Sequence, residues 1–276
     1  MRLTALQWVS SPDPTQNLSH LEKALDNLPD TRPQLVVLPE NWACYGGGER
    51  QTAAVAELHG RGELQSALSG LAKKHGIWLA AGSLPILNQA ADKPTATLLV
   101  YGPEGQEVGR YDKLHLFDVD VADAVGSYRE SDIYQAGKQP IVIDTELGRV
   151  GLAICYDLRF PELFRWMRAK GAEVIVLPAA FTQVTGEAHW QTLLRARAIE
   201  NQCYIVAADQ AGVHANGRET YGHSLVIDPW GEVLAMQDKG VACVTVIMDR
   251  EKLTQVRSNM PVMQHSRFFS HWDKES

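Results

Sequence analysis

The sequence has no surplus of positive charge. Its 26 Lys and Arg stand against 33 Asp and Glu, for a formal net charge of -7, and no long basic run occurs. Nucleic-acid binding, which needs clustered cations, is therefore not expected. No apolar stretch approaches the ~20 residues that cross a bilayer, so no membrane partner is expected either. Cysteine is sparse: Cys44, Cys155, Cys203 and Cys243 are scattered, with no Cys-x-x-Cys pair. None of the nine histidines falls in a His-x-x-x-His or His-Glu-x-x-His spacing. The chain thus offers no recognisable metal centre. Pro/Gly/Ser-rich linkers, low-complexity tracts and helical repeats are missing as well, which argues for one domain over residues 1–276. The first residues, Met1 to Val9, are too few and too polar for a signal peptide and read as a strand. The cysteines are accordingly expected to be reduced thiols in the cytoplasm.

What is present is ordinary for a globular chain, with 45% hydrophobic and 21% charged residues in 276. Short apolar runs predict strands near 2–9, 34–38, 77–82, 96–101, 107–111, 141–143, 149–154, 173–177, 203–208, 223–228 and 241–247. Helical periodicity appears near 15–27, 62–75, 160–169, 188–200 and 249–258. Gly76 and Gly171 follow two of these helices as C-caps. The alternation predicts an α/β fold with some hairpin-like pairs. Periodicity alone does not separate a three-layer doubly wound sheet from a four-layer sandwich.

Three segments carry polar residues at strand ends. The run Gly148 to Ile154 ends in Cys155, ahead of a helix start. Groups just past the carboxyl ends of parallel strands are placed for catalysis, and helix-start N–H groups stabilise an anion there. Taken alone, Cys155 reads more readily as a small buried core residue than as a nucleophile. The run Leu35 to Leu38 is stopped by Pro39 and followed by Glu40. In Val108 to Phe117, Lys113 follows a strand-like stretch and precedes an apolar loop. Singly, Glu40 and Lys113 read as solvated charges. With Cys155 they supply a base, a cation and a nucleophile.

These segments resemble the motifs of the carbon–nitrogen hydrolase (nitrilase) superfamily: Leu-Pro-Glu at 38–40, Tyr-Asp-Lys-Leu-His-Leu at 111–116 and Cys-Tyr-Asp-Leu-Arg-Phe-Pro-Glu-Leu at 155–163. The resemblance covers nearly the whole chain. It implies an α-β-β-α four-layer sandwich, a Glu40–Lys113–Cys155 triad, and a supporting glutamate at Glu130. No cofactor is implied.

The implied chemistry is amide hydrolysis through a thioester. A thiol near pKa ~8.5 is mostly protonated at neutral pH and needs a base, a role that falls to Glu40. Glu40 then returns the proton to the departing nitrogen and activates water in the second half. Lys113 and the backbone N–H of Tyr156 hold the oxyanion. Glu130 orients Lys113 or Glu40, or is a simple salt bridge. His115, His189 and His223 lie in motif regions, as pocket or structural residues. A catalytic Cys155 is expected to label faster than the other cysteines and to have a depressed pKa.

The second half is similar to the Nit-type amidases, which comprise deaminated-glutathione amidases and ω-amidases. The shared segments are Gly186 to Trp190, Arg195 to Tyr204, Tyr221 to Ser224 and Asp228 to Gly231. Ala196 to Tyr204, Gln210 to His214 and Arg218 resemble the deaminated-glutathione type more. Such substrates are small amides bearing carboxylates. Arg159, one turn after Cys155, is placed to take one bidentately, or else forms an ion pair with Glu162 or Asp157. Phe181, Thr185 and His189 are the further substrate-contact candidates. Ala179, before Ala180-Phe181, departs from the Ser or Gly of relatives. Family resemblance implies a homodimer or larger. The aromatic tail at 262–272 packs across a subunit boundary or over its own core.

Overall fold

The computed structural model describes residues 1–88, 92–123, 125–146, 148–268 and 272. The first half contains β1 (Arg2–Gln7), α1 (Pro14–Asp26), β2 (Gln34–Val37), α2 (Glu49–Ala54), β3 (Glu57–Leu58), α3 (Glu63–His75), β4 (Trp78–Ala80), β5 (Leu84–Leu87), β6 (Thr95–Tyr101) and β7 (Glu107–Asp112). A small hairpin follows, β8 (Asp118–Asp120) and β9 (Ser127–Arg129). The second half contains β10 (Ile141–Thr145), β11 (Gly148–Leu152), α4 (Pro161–Ala169), β12 (Val174–Ala179), α5 (Gln183–Asn201), β13 (Tyr204–Asp209), β14 (Ala211–Val213), β15 (Glu219–Tyr221), β16 (Ser224–Ile227), β17 (Val233–Gln237), β18 (Ala242–Ile247), α6 (Arg250–Asn259) and α7 (Val262–His265).

The larger sheet runs β18-β1-β2-β4-β6-β5-β3, with β7 also on β6. The second runs β10-β11-β12-β13-β16-β17. In each sheet the central pairs are parallel: β1 with β2, β2 with β4, β11 with β12, and β12 with β13. Strands buried on both faces read as continuous apolar runs, as Leu35-Val36-Val37 and Val174-Ile175-Val176 do.

The two-residue pleat sorts these runs into layers. Leu3, Ala5, Leu35 and Val37 face the second sheet and join Val150, Leu152 and Val176 in one core. Leu6, Val36 and Leu38 face the other way, into a core shared with Leu21 and Leu25 of α1 and Leu68 and Leu71 of α3. On the far side of the second sheet lie Phe164 and Met167 of α4 and Trp190 and Leu194 of α5. The result is the α-β-β-α sandwich, and not a three-layer doubly wound sheet.

Local signals account for the helix ends. Asp13 caps α1 by accepting from the Thr15 N–H, with Pro14 at the first helical position. Gly76 closes α3 in the left-handed region. Gly171 lies one residue past the α4 cap, Lys170, and donates to the Arg168 carbonyl. Helix α5 begins five residues before the predicted 188. A Cβ at Gly186 would meet Tyr221 Cβ at 2.3 Å, so this glycine is there for close packing on β15, which outweighs its poor helix propensity. The two- to five-residue elements β3, β5, β8, β9, β14, β15 and β17 escape a periodicity reading, and Pro85 conceals β5. Of the aromatic tail, residues 269–271 lie outside the described residues; Phe268 is largely exposed, whereas Trp272 is half-buried beside Leu114, Phe160 and Trp166.

Gly82 joins the fold to the site. It has φ +61°, and a Cβ there would lie 2.1 Å from the Pro39 carbonyl oxygen and 2.9 Å from Trp42 Cδ1. Gly82→Ala is expected to cost about 2–3 kcal/mol through backbone strain and displacement of the 38–42 loop. Urea unfolding checks this; a loss under ~0.5 kcal/mol, the scale of an ordinary surface change, contradicts the packing described.

Candidate active site

Glu40 stands three residues past the end of β2. Its N–H donates to the Ala179 carbonyl of the opposite sheet at 3.3 Å, and its carbonyl accepts from Gln210 Nε2 at 2.9 Å. Both sheets therefore hold this loop. Lys113 directly follows β7; its N–H donates to the Ala96 carbonyl, and its carbonyl accepts from the Gly137 N–H. Glu130 begins a short 3₁₀ turn after β9 and accepts from the Phe117 N–H at 2.6 Å.

Cys155 opens the 3₁₀ turn Cys155–Arg159 at φ 46°, a conformation costly for a residue with a Cβ. Asp157, fully buried, holds the turn in place. It accepts from the Ile154 N–H at 2.8 Å, from Tyr111 OH at 2.7 Å and shares a 2.7 Å hydrogen bond with His115 Nδ1. The Cys155 turn and the Lys113 loop are thus fastened to each other by one carboxylate. From behind, Arg197 of α5 donates to the Leu158 carbonyl from Nε (3.0 Å) and Nη2 (2.8 Å).

These elements bring the four residues together. Lys113 Nζ donates to Glu40 Oε1 at 2.8 Å and to Glu130 at 3.0 and 2.9 Å. The Glu40 charge also acts on the Cys155 thiol. All four line one cleft, with about 500 Å³ of open space including its mouth. Tyr156, Arg159, Phe181 and Thr185 line it too. Of the residues singled out, His189 does not: it is exposed and meets Arg159 Nη1 at 3.2 Å from outside. His115 stacks on Phe160, and His223 on Tyr221; both lie away from the cleft. Arg159 has no carboxylate partner among the described residues, so its ion pair with Glu162 or Asp157 does not form.

Residues 2–258 match the carbon–nitrogen hydrolase family. The chain belongs to that family. It is 44% identical over 266 residues to a deaminated glutathione amidase of Yersinia enterocolitica, covering 96% of this chain and 92% of that one. It is 35% identical over 268 residues to the omega-amidase NIT3 of Saccharomyces cerevisiae, covering 94% and 90%. Among solved structures it superposes on the Caenorhabditis elegans NitFhit protein with a TM-score of 0.87 at 38% identity, covering 96% of this chain and 65% of that one. On yeast Nit3 the TM-score is 0.85 at 33% identity, with 97% of each chain covered. The chain is therefore a hydrolase of non-peptide carbon–nitrogen bonds in linear amides.

The electrostatics of this carbon–nitrogen hydrolase correct one expectation. Burial pushes the Cys155 thiol well above the ordinary range, and the Glu40 charge adds to it; Lys113 and an Ala180 main-chain hydrogen bond oppose the rise without cancelling it. The thiol is not depressed. Burial by itself would lower the Lys113 pKa, but Glu130 and Glu40 together hold it well above the usual amine value. Burial raises Glu130, against the pull of Lys113.

Sequence reading missed Asp209, at the end of the apolar strand β13. It is fully buried, its Oδ1 accepts from the Phe181 N–H at 2.9 Å, and its Oδ2 has no hydrogen-bond partner. Its position past a buried strand, like that of Glu40, was the available signal. Burial pushes its carboxyl well above the usual range, and the Glu40 charge adds to this.

Two outcomes are expected. Glu40→Gln removes a charge that opposes thiolate formation, so iodoacetamide labelling of Cys155 at pH 8 speeds up. Amide turnover falls at least ~10²-fold in the same protein; turnover that stays at the wild-type rate contradicts the base role. For Asp209, the unfolded carboxyl ionises near pH ~4, whereas the folded one keeps its proton to higher pH. The stability this group contributes is thus full below that pH and lost as pH rises through the folded pKa. Asp209→Asn mimics the protonated form, so urea midpoints should rise over wild type at pH 8 and differ little at pH 4. Equal shifts at both pH values would mean that Asp209 is ionised in the fold.

Proposed function

We propose that the protein is an amidase acting on deaminated glutathione, with Cys155 as nucleophile, Glu40 as general base and acid, Lys113 and the Tyr156 N–H as oxyanion donors, and Glu130 as the residue positioning Lys113. The supporting observation is the convergence of Glu40, Lys113, Glu130 and Cys155 on one cleft beside a guanidinium, Arg159, that lacks a carboxylate partner among the described residues. The 44% identity to a deaminated glutathione amidase supports the choice of substrate. Residues 1–276 act as one catalytic unit in this reading, because both sheets supply walls of the cleft.

The thiol attacks the amide carbonyl carbon, and its proton passes to Glu40 as the carbon–sulfur bond forms. The neutral resting thiol suits this step, since proton loss is coupled to attack. The oxyanion takes a hydrogen bond from Lys113. An ammonium has three N–H groups; Glu40 takes one and Glu130 spans a second, which leaves the third for the oxyanion. Loss of one such donor typically costs ~10²–10³ in rate. Glu40 then protonates the departing amine, the carbon–nitrogen bond breaks and a thioester remains. Water, deprotonated by Glu40, attacks the thioester and releases the acid and the free thiol. Arg159 receives a substrate carboxylate, Phe181 and Thr185 supply the facing wall, and His189 supports Arg159.

The second reading is an ω-amidase acting on α-ketoglutaramate, favoured by the 35% identity to yeast NIT3. Both substrates yield α-ketoglutarate, so one coupled assay compares them. The expected result is a kcat/KM at least ~10-fold higher for deaminated glutathione, the scale at which a site's extra polar contacts discriminate, with no turnover by Cys155→Ala. The reverse preference moves the protein to the ω-amidase reading. Turnover by Cys155→Ala would overturn the mechanism.

A further inference from the structure

Three cations line the cleft, and only one is fully engaged. Lys113 carries Glu40 and Glu130. Arg159 lies over the rings of Tyr156 (5.9 Å) and Phe181 (5.4 Å). Arg218, from the connection between β14 and β15, lies over Tyr128 (4.6 Å) and Tyr45 (5.1 Å). Its one ionic contact among the described residues is long: Nη1 meets Glu49 Oε1 at 3.4 Å, and that carboxylate is 40% exposed. Its Nε is buried and has no hydrogen-bond partner among the described residues. A buried guanidinium with an open N–H is costly until something accepts from it, and the fork geometry suits a carboxylate.

The two arginines are also related to each other. Tyr156 packs on Phe117 (5.1 Å), and Phe117 packs on Tyr128 (5.1 Å). A row of three rings thus runs along the cleft from Arg159 at one end to Arg218 at the other. Cys155, Glu40 and Lys113 line the same cleft. This arrangement matches a linear amide with a carboxylate at each end and the scissile bond between them. Deaminated glutathione has that form: a keto-acid carboxylate on the acyl half and a glycine carboxylate on the leaving half. α-Ketoglutaramate carries only the first.

We infer that Arg218 is a substrate-binding residue that takes the carboxylate of the leaving half, while Arg159 takes that of the acyl half. The inference rests on the amidase reading above and specifies its substrate as a two-ended dicarboxylate. On binding, the far carboxylate completes the Arg218 fork and competes with the half-exposed Glu49. Discrimination against a substrate lacking that carboxylate follows, because the guanidinium is then left with the long Glu49 contact alone.

The test uses deaminated glutathione and its analogue with the glycine carboxylate converted to a carboxamide. Calorimetric binding to the Cys155→Ala protein should favour the acid over the amide by about 10–100-fold, the scale of a hydrogen bond to a charged group. In Cys155→Ala/Arg218→Gln that preference should shrink to about twofold or less, and Arg218→Lys, which keeps charge without the fork, should fall between. An unchanged preference in the double variant overturns the inference. So does an equal loss of affinity for both compounds, which a purely structural Arg218 would produce, and so does failure of the Cys155→Ala protein to prefer the acid. Wild-type turnover of deaminated glutathione is read separately. If wild type leaves it intact while Cys155→Ala keeps the Arg218-dependent preference, the proposed function fails and the Arg218 site stands.

Discussion

The structure depends on one buried ammonium. Lys113 is almost fully enclosed and is held by two carboxylates, Glu40 and Glu130, with three contacts between 2.8 and 3.0 Å. Burying any one of these ions unpaired would cost several kcal/mol, so removing any one leaves an uncompensated charge in the interior. The loops that carry them must therefore meet, although they come from residues 40, 113 and 130. The cluster also sets the state of the nucleophile. Burial, with the Glu40 charge added to it, outweighs the pull of Lys113, and the thiol stays protonated at rest. A Cys–His site works in the opposite way, by stabilising a thiolate in advance.

The scaffold satisfies this requirement through its layers. Parallel strands of both sheets end on the same side, and functional loops in such sheets gather beyond the carboxyl ends. Glu40 follows β2 of one sheet, Cys155 follows β11 of the other, and a main-chain hydrogen bond from Glu40 to Ala179 joins the two. Asp157 performs the equivalent service between the Cys155 turn and the Lys113 loop. Much of the polarity near the nucleophile therefore serves alignment. Positioning to within a fraction of an ångström is what such catalysis demands, and the positive φ at Cys155 is tolerated only because its surroundings over-determine it.

Much of the fold was legible. The strand runs at 34–38, 96–101 and 203–208 were recognisable because burial on both faces makes the whole run apolar. Helix α1 was legible from its periodicity, and α3 was marked at its end by Gly76. The start of α5 was not, since Gly186 obeys a contact with Tyr221 that is 35 residues away in sequence and invisible to local propensity. Short strands such as β5 and β17 were missed because their pairing partners, not their own composition, make them strands. Of the site, Glu40, Lys113, Glu130 and Cys155 were accessible through strand-end placement and motif resemblance. His189 lies on the exposed side of Arg159, and Asp209 is buried under the Phe181 N–H; both placements depend on contacts distant in sequence.

By itself, the sequence determined the chemistry available: a thiol, a carboxylate and an amine at the ends of buried strands, with no metal-ligand spacing to compete. It also determined the layer pattern, because alternation along β1 and β2 sorts side chains between two cores. The tertiary structure alone decided which charges are neighbours, which are spent and which remain free. Lys113 and Arg218 are both cations of the same cleft, yet one is saturated by two carboxylates and the other keeps an unpartnered Nε. The direction of the Cys155 pKa shift was settled in the same way. Electrostatic interaction depends on distance and on the local exclusion of water, and neither quantity is a property of position along the chain.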